Sequence, residues 1–191
     1  MDTKEKKDLI TSWNLDSTHS EIGFKVKHLM ITNVKGVFRE FSGSVRSDAE
    51  DFSDAKIEVR IKAASIDTGD KNRDGHLNSA DFFDAASFPE IKFTGSTVKS
   101  KKGDGTYQLT GNLEMKGISK PVVLDVEYTG AMKDPYGNFK VGFLAEGKIN
   151  RREWGLNWNA ALEAGGVMVS EDVRISAEIQ LVKESGQKPA A

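Results

Sequence analysis

The chain has 191 residues, a length suited to one domain, with 38% hydrophobic residues, including 10 Phe, 3 Trp and 3 Tyr, to build a core. Its 27 basic and 29 acidic side chains leave a formal charge of −2, which makes no polyanion-binding field and argues against nucleic acid as a partner. Cysteine is absent, so thiol nucleophiles, iron–sulfur clusters, cysteine zinc sites and disulfides are excluded.

Residues 1–11 read as an arm or a loose helical turn. Met1 to Asp8 are charged and no apolar stretch follows, so the expectation is a cytoplasmic protein, or a periplasmic one if a leader has been removed. From residue 12 the dominant pattern is alternation with period two, the mark of half-buried antiparallel strands. Ile22, Phe24, Val26 and His28 face one way and Lys25 and Lys27 the other, and Ile57, Val59 and Ile61 alternate with Glu58, Arg60 and Lys62. Eight strands follow from this count, at about residues 20–32, 34–46, 54–64, 90–100, 105–116, 120–130, 138–150 and 171–183. Between 33 and 45 the inward set changes parity, from Val34, Gly36 and Phe38 to Phe41, Gly43 and Val45, which requires a bulge or bend near Arg39-Glu40. Eight long strands with interior glycines favour a closed barrel over a sandwich.

Two segments break the alternation. Residues 65–89 are polar and turn-rich, with a short helix expected from an Asn78 or Ser79 cap and carrying Phe82 and Phe83. Residues 151–170 form a long excursion with Trp154 and Trp158, and residues 185–191 read as a disordered tail, leaving 12–184 as the domain.

The sharpest chemical motif runs from Asp70 to Asp81. It matches the calcium-loop pattern at Asp70, Asn72, Asp74, Gly75 and Leu77, but a strand stands where the first helix belongs and Asp81 replaces the bidentate Glu. It is read as a polar turn leading into a helix, with no metal site. His19, His28 and His76 lack metal-ligand spacing. No nucleophile elbow, Ser-x-x-Lys pair or phosphate loop is present, so no catalytic residue is assigned and no cofactor is expected. The barrel interior is then either a solid core or a narrow apolar tunnel for a chain-like lipid.

A spaced series of motifs settles the direction. Asp16-Ser-Thr-His19-Ser20, Phe24-x-Val26-x-His28-Leu29, Val34-x-Gly36-x-Phe38, Thr68-Gly69, Arg73-Asp74-Gly75-His76-Leu77, Asp81-Phe82-Phe83-Asp84 and Phe88-Pro89-x-Ile91-x-Phe93 occur in that order. Gly111-Asn-Leu113-x-Met115-Lys-Gly117, Ile149-x-Arg151 and Trp154-Gly155 follow. Over about residues 13–183 the chain resembles the YceI-like family, from which it departs in its charged N-terminal extension and in Trp154, where Phe or Tyr is common.

The resemblance implies an all-β, eight-stranded antiparallel lipocalin-like barrel with a short helix. It also implies binding of polyisoprenoids or similar amphiphilic lipids, often by a homodimer. The reading adopted is a homodimer that sequesters or carries a polyprenyl diphosphate, an isoprenoid quinone or a similar long-chain lipid. Phe24, Val26, Phe38, Phe93, Leu113, Leu124, Phe143, Ile149 and Ile175 are the candidates for the tail wall, and Arg73, His76, Asn78 and Arg151 for the head group. The alternatives are an enzyme that acts on a small hydrophobic substrate inside the barrel through His28 or His76, and a ligand-free structural or stress protein.

Overall fold

The structure is a computed structural model and describes residues 11–185, without the Thr97 side chain. Eleven strands are present: β1 (Thr11–Leu15), β2 (Glu21–His28), β3 (Thr32–Phe38), β4 (Phe41–Ser47), β5 (Lys56–Lys62), β6 (Ile66–Asp67), β7 (Glu90–Ser100), β8 (Thr106–Met115), β9 (Ile118–Lys133), β10 (Phe139–Asn150) and β11 (Val169–Lys183). One helix, α1 (Lys71–Asn78), lies between β6 and β7. All pairings are antiparallel, and β11 closes the sheet by pairing with both β1 and β2.

The eleven strands make eight staves. β1 and β2 follow one another along one edge of β11, with Leu15 opposite Leu181 and Ile22 opposite Ala177. β3 and β4 form the next stave, broken at Arg39-Glu40, whose two N–H groups turn to the carbonyl and hydroxyl of Ser65. That is the bend demanded by the parity change: Phe38 and Val45 both face inward and are buried. Closure removes most of the sheet edge; among the described residues, the short β6 and residues 32–36 of β3 keep one side unpaired.

Three sequence expectations are corrected. The first stave begins at Thr11, not near 20, because Trp13 pairs with Lys183 and Val45 across two neighbours and is buried. The first hairpin turns at residues 29–31, earlier than expected, and its central residues Leu29 and Met30 have φ of 52° and 58°. The helix starts at Lys71, capped by Asp70, whose carboxylate accepts from the N–H groups of Asn72 and Arg73. Ser79 ends that helix instead of starting one, its hydroxyl donating to the His76 carbonyl, and Phe82 and Phe83 lie in the turn beyond. The tail and most of the N-terminal extension fall outside the described residues. Among the described residues no helix is long and apolar enough to cross a membrane.

The core has two parts. At one end Trp13, Val45, Ala55, Val141 and Leu181 pack together, and Phe52 lies against Trp13 and Phe143 at ring separations of 5.4 and 5.2 Å. At the other, the helix end, a larger cluster includes Phe38, Phe82, Phe93, Leu113, Met115, Trp154 and Leu156. Trp154 is the most buried large side chain, and its Nε1–H donates to the Leu113 carbonyl at 2.8 Å. It sits in a 3-10 turn, Arg151–Trp154, that ends at Gly155 in the left-handed region (φ 74°), where glycine carries no steric cost.

Candidate functional site

Two cavities follow one another along the barrel axis. On β2, Ile22 lines the lower one and Phe24, Val26 and His28 the upper. On β8, Leu113 lines the lower and Met115 the upper; on β11, Ile175 belongs to the lower and Val173 to the upper. Inward positions recur every second residue, so the same strands wall both spaces. The lower cavity has a volume of about 180 Å3, and no charged residue lines it. The upper has about 380 Å3, within the roughly 300–1,000 Å3 usual for small-molecule sites.

The width of the interior depends on glycines under large side chains. A methyl group placed on Gly36 would collide with the Phe24 ring, and one on Gly111 would come within 2.5 Å of Cζ of Phe93. Both rings therefore lie back against the wall, in space that any other residue would fill.

The upper cavity is closed by α1, by the turn carrying Phe82 and Phe83, and by residues 151–168. Its polar residues all lie at this end: His28, Asn72, Arg73, His76 and Arg151. The exposed Arg73 side chain donates through Nε to Thr68 Oγ1 (2.8 Å) and through Nη2 to the Thr68 carbonyl (2.9 Å), which leaves Nη1 unengaged among the described residues. His76 Nε2 is 2.8 Å from Asp81 Oδ2, and its ring stands edge-on to Phe82 and Trp158 at 5.1 and 4.8 Å.

Arg151 is of a different kind. It is only 5% exposed, and it donates to the carbonyls of Ser170 and Trp158 (each 2.9 Å), to that of Leu156, and more weakly to Val169 at 3.4 Å. Phe82 lies 6.0 Å beneath its guanidinium. No carboxylate pairs with it among the described residues, and burial pushes its pKa below the usual arginine value. Its role is to tie the irregular 156–170 backbone to the barrel while leaving a positive charge beside the cavity.

Of the nine tail candidates, Phe93, Leu113, Leu124, Phe143 and Ile175 line the lower cavity, and Phe24, Val26 and Ile149 the upper. Phe38 lines neither; it is buried between Phe24 and Phe83. Of the head-group candidates Arg73, His76 and Arg151 converge on the upper cavity. Asn78 does not, and its buried Oδ1 finds no partner among the described residues. Leu156, Trp158 and Met168 are wall residues that sequence reasoning missed, since they lie in a segment without periodicity. The calcium-like carboxylates diverge: Asp70 caps α1, Asp74 accepts from the Thr68 N–H and hydroxyl, and Asp81 meets His76.

A closed antiparallel barrel with stacked internal cavities and a capped end is a lipocalin-like fold. The chain belongs to the YceI-like family, whose domain model matches residues 13–181. It is 39% identical over 172 residues to a UPF0312 protein of Staphylococcus aureus strain USA300, covering 90% of this chain and 97% of that one. A crystal structure of a Campylobacter jejuni YceI protein is 34% identical, with TM-score 0.70 over 90% of this chain and 97% of that one. A polyisoprenoid binding domain from Saccharophagus degradans, implicated in plant cell wall breakdown, shares the fold at 15% identity, with TM-score 0.65 over 90% and 98% of the two chains.

Proposed function

We propose that this protein binds an amphiphilic lipid with an isoprenoid-type tail, holding the tail along the barrel axis and the head group at the helix end. The observation that carries this reading is the division of polarity. The lower cavity has no charged wall residue, whereas the upper gathers two arginines and two histidines at its rim. The polyisoprenoid binding domain with the same fold adds support.

Each buried methylene contributes about 0.8 kcal/mol, so a tail of several isoprene units readily reaches the roughly 8 kcal/mol of a micromolar complex. Arg73, with Nη1 unengaged among the described residues, supplies hydrogen bonds to a diphosphate or quinone head, and Arg151 supplies charge with few donors to spare. Carriage of the lipid and a homodimeric state belong to the same reading, and analytical ultracentrifugation reads the second directly.

The enzyme reading draws on the His76–Asp81 pair. Among the described residues the upper cavity is lined by no serine, threonine, cysteine or lysine, so this reading is limited to general acid–base chemistry by the histidines. The lipid reading stands ahead of it on the division of polarity. Native mass spectrometry of the purified protein tests the proposal. A retained lipid mass, or uptake of an added polyprenol or quinone, is the expected result; a protein that neither retains nor takes up either ligand overturns it.

A further inference from the structure

We infer that the β2–β3 hairpin is a docking tip for an anionic bilayer, which sets the mouth of the upper cavity against the lipid surface. The inference rests on the lipid-binding reading and names the surface with which that site exchanges its cargo. Three observations on the same hairpin carry it.

The first is exposed apolar surface. Met30 is 61% and Ile31 80% exposed, with Leu29 and Val167 at 36% and 39% beside them. Leu29 N–H donates to the Met168 carbonyl, so this apolar group belongs to the same rim as the cavity-wall residues His28, Val34 and Met168.

The second is the backbone. Leu29 and Met30 occupy the two central positions of a turn closed by the Ile31 N–H to the His28 carbonyl, and both have positive φ. Asn and Gly suit such positions at little steric cost, and both would also suit water. Two large apolar side chains are placed there instead, against both local preferences, which marks the turn as shaped by what it meets.

The third is charge. Lys148, Arg174, Lys25 and Lys35 lie directly opposite one another across β10, β11, β2 and β3, and Lys27 stands two residues nearer the tip. Lys148 pairs with Asp172, but Lys25, Lys27, Lys35 and Arg174 are exposed and have no ion-pair partner among the described residues. Like charges directly opposed across strands repel. An anionic surface relieves that repulsion, which a zwitterionic one does not. An apolar tip below a basic collar is the arrangement expected of a protein that inserts shallowly among acidic headgroups.

Flotation with vesicles of phosphatidylcholine, alone or mixed in equal parts with phosphatidylglycerol, tests the proposal, with native mass spectrometry of the same samples to follow the bound lipid. The full chain should float with the phosphatidylglycerol vesicles, poorly with phosphatidylcholine alone, and less as salt rises. Lys25→Glu with Lys35→Glu, both outward-facing, should weaken partitioning by about tenfold or more. Met30→Asn with Ile31→Ser should weaken it on both kinds of vesicle. Lipid retention should be unchanged in either variant, since none of the four residues lines a cavity. Failure of the full chain to float, or flotation of both variants equal to that of the parent chain, overturns the docking tip whether or not lipid is retained. Charge-dependent flotation by a protein that carries no lipid supports the tip and overturns the lipid-binding reading instead.

Discussion

The two ends of the barrel use the same strands but are held in different ways. Around the lower cavity the wall is strand ladder, with register shifts at Gly142–Phe143 and Gly95–Thr97, closed at its far end by Phe52 packed on Trp13 and Phe143. Burial of apolar side chains does most of the work there, and polar side chains contribute little. At the helix end the ladder stops, and the chain from 151 to 168 is held by specific donors: Trp154 Nε1 to Leu113, and the Arg151 fork to four carbonyls. The lower end should therefore respond to changes of volume, and the upper to loss of single donors.

The largest effect is expected from Trp154→Ala. It deletes a side chain only 1% exposed and leaves the Leu113 carbonyl without its donor, at a cost of about 3–5 kcal/mol. The denaturant midpoint should fall accordingly, and hydrogen exchange should quicken first in 151–168. If the loss is spread evenly over the barrel, the cap is no separate unit.

Arg151→Met and Leu113→Trp separate the two ends, each costing about 1–3 kcal/mol by a different route. The first removes donors from four carbonyls and should lower the thermal midpoint, while weakening a charged ligand more than an uncharged one because its positive charge beside the cavity is lost. The second inserts volume into the lower cavity and should abolish lipid retention with the circular dichroism still strand-like. Retention by a folded Leu113→Trp protein would break the assignment of the tail to that space.

Arg73→Ala should be gentler, because its bonds to Thr68 are exposed. A polyprenyl diphosphate should bind about 0.5–1.5 kcal/mol more weakly and the uncharged polyprenol as before. Equal losses in titration calorimetry would place Arg73 with the cap and not with the head group.

The smallest effect belongs to Asp54, which anchors the loop bearing Phe52. Donation from the Ser47 hydroxyl, and then from the Asp48 and Ala49 N–H groups, holds its pKa below the usual carboxylate value. A depressed folded pKa stabilises fully above the unfolded value of about 3.9 and loses that stabilisation as pH falls through the folded one. Unfolding midpoints followed downward from pH 5 should drop less steeply in Asp54→Asn than in the parent chain.

Most of the strands were legible because one face is apolar and the other wet, so period two survives in the residues themselves. Even the break at Arg39-Glu40 showed as a parity change. The stave at Thr11–Leu15 was missed because residues 16–20 interrupt the alternation before it can register. The helix was displaced because α1 buries no residue and so has no apolar stripe, while Asp70 and Ser79 are equally plausible caps by residue type. Arg151 was legible as a cation near the mouth but not as a buried one. Its acceptors are main-chain carbonyls of an irregular segment, which no side-chain pattern reveals.

Gly36 and Gly111 give the barrel a further property. Every residue that faces the lumen is under two demands, to seal the wall and to leave a passage, and Phe24 and Phe93 meet both only because their neighbours yield them room. The bore is thus set from behind the lining, by positions that no ligand would touch. A single added methyl at Gly36 would tip a phenyl ring from flush to protruding, and so change which chains fit without altering a contact residue. If the proposed lipid binding holds, a variant changed only at such positions would select tails by girth while presenting the same inventory of wall side chains.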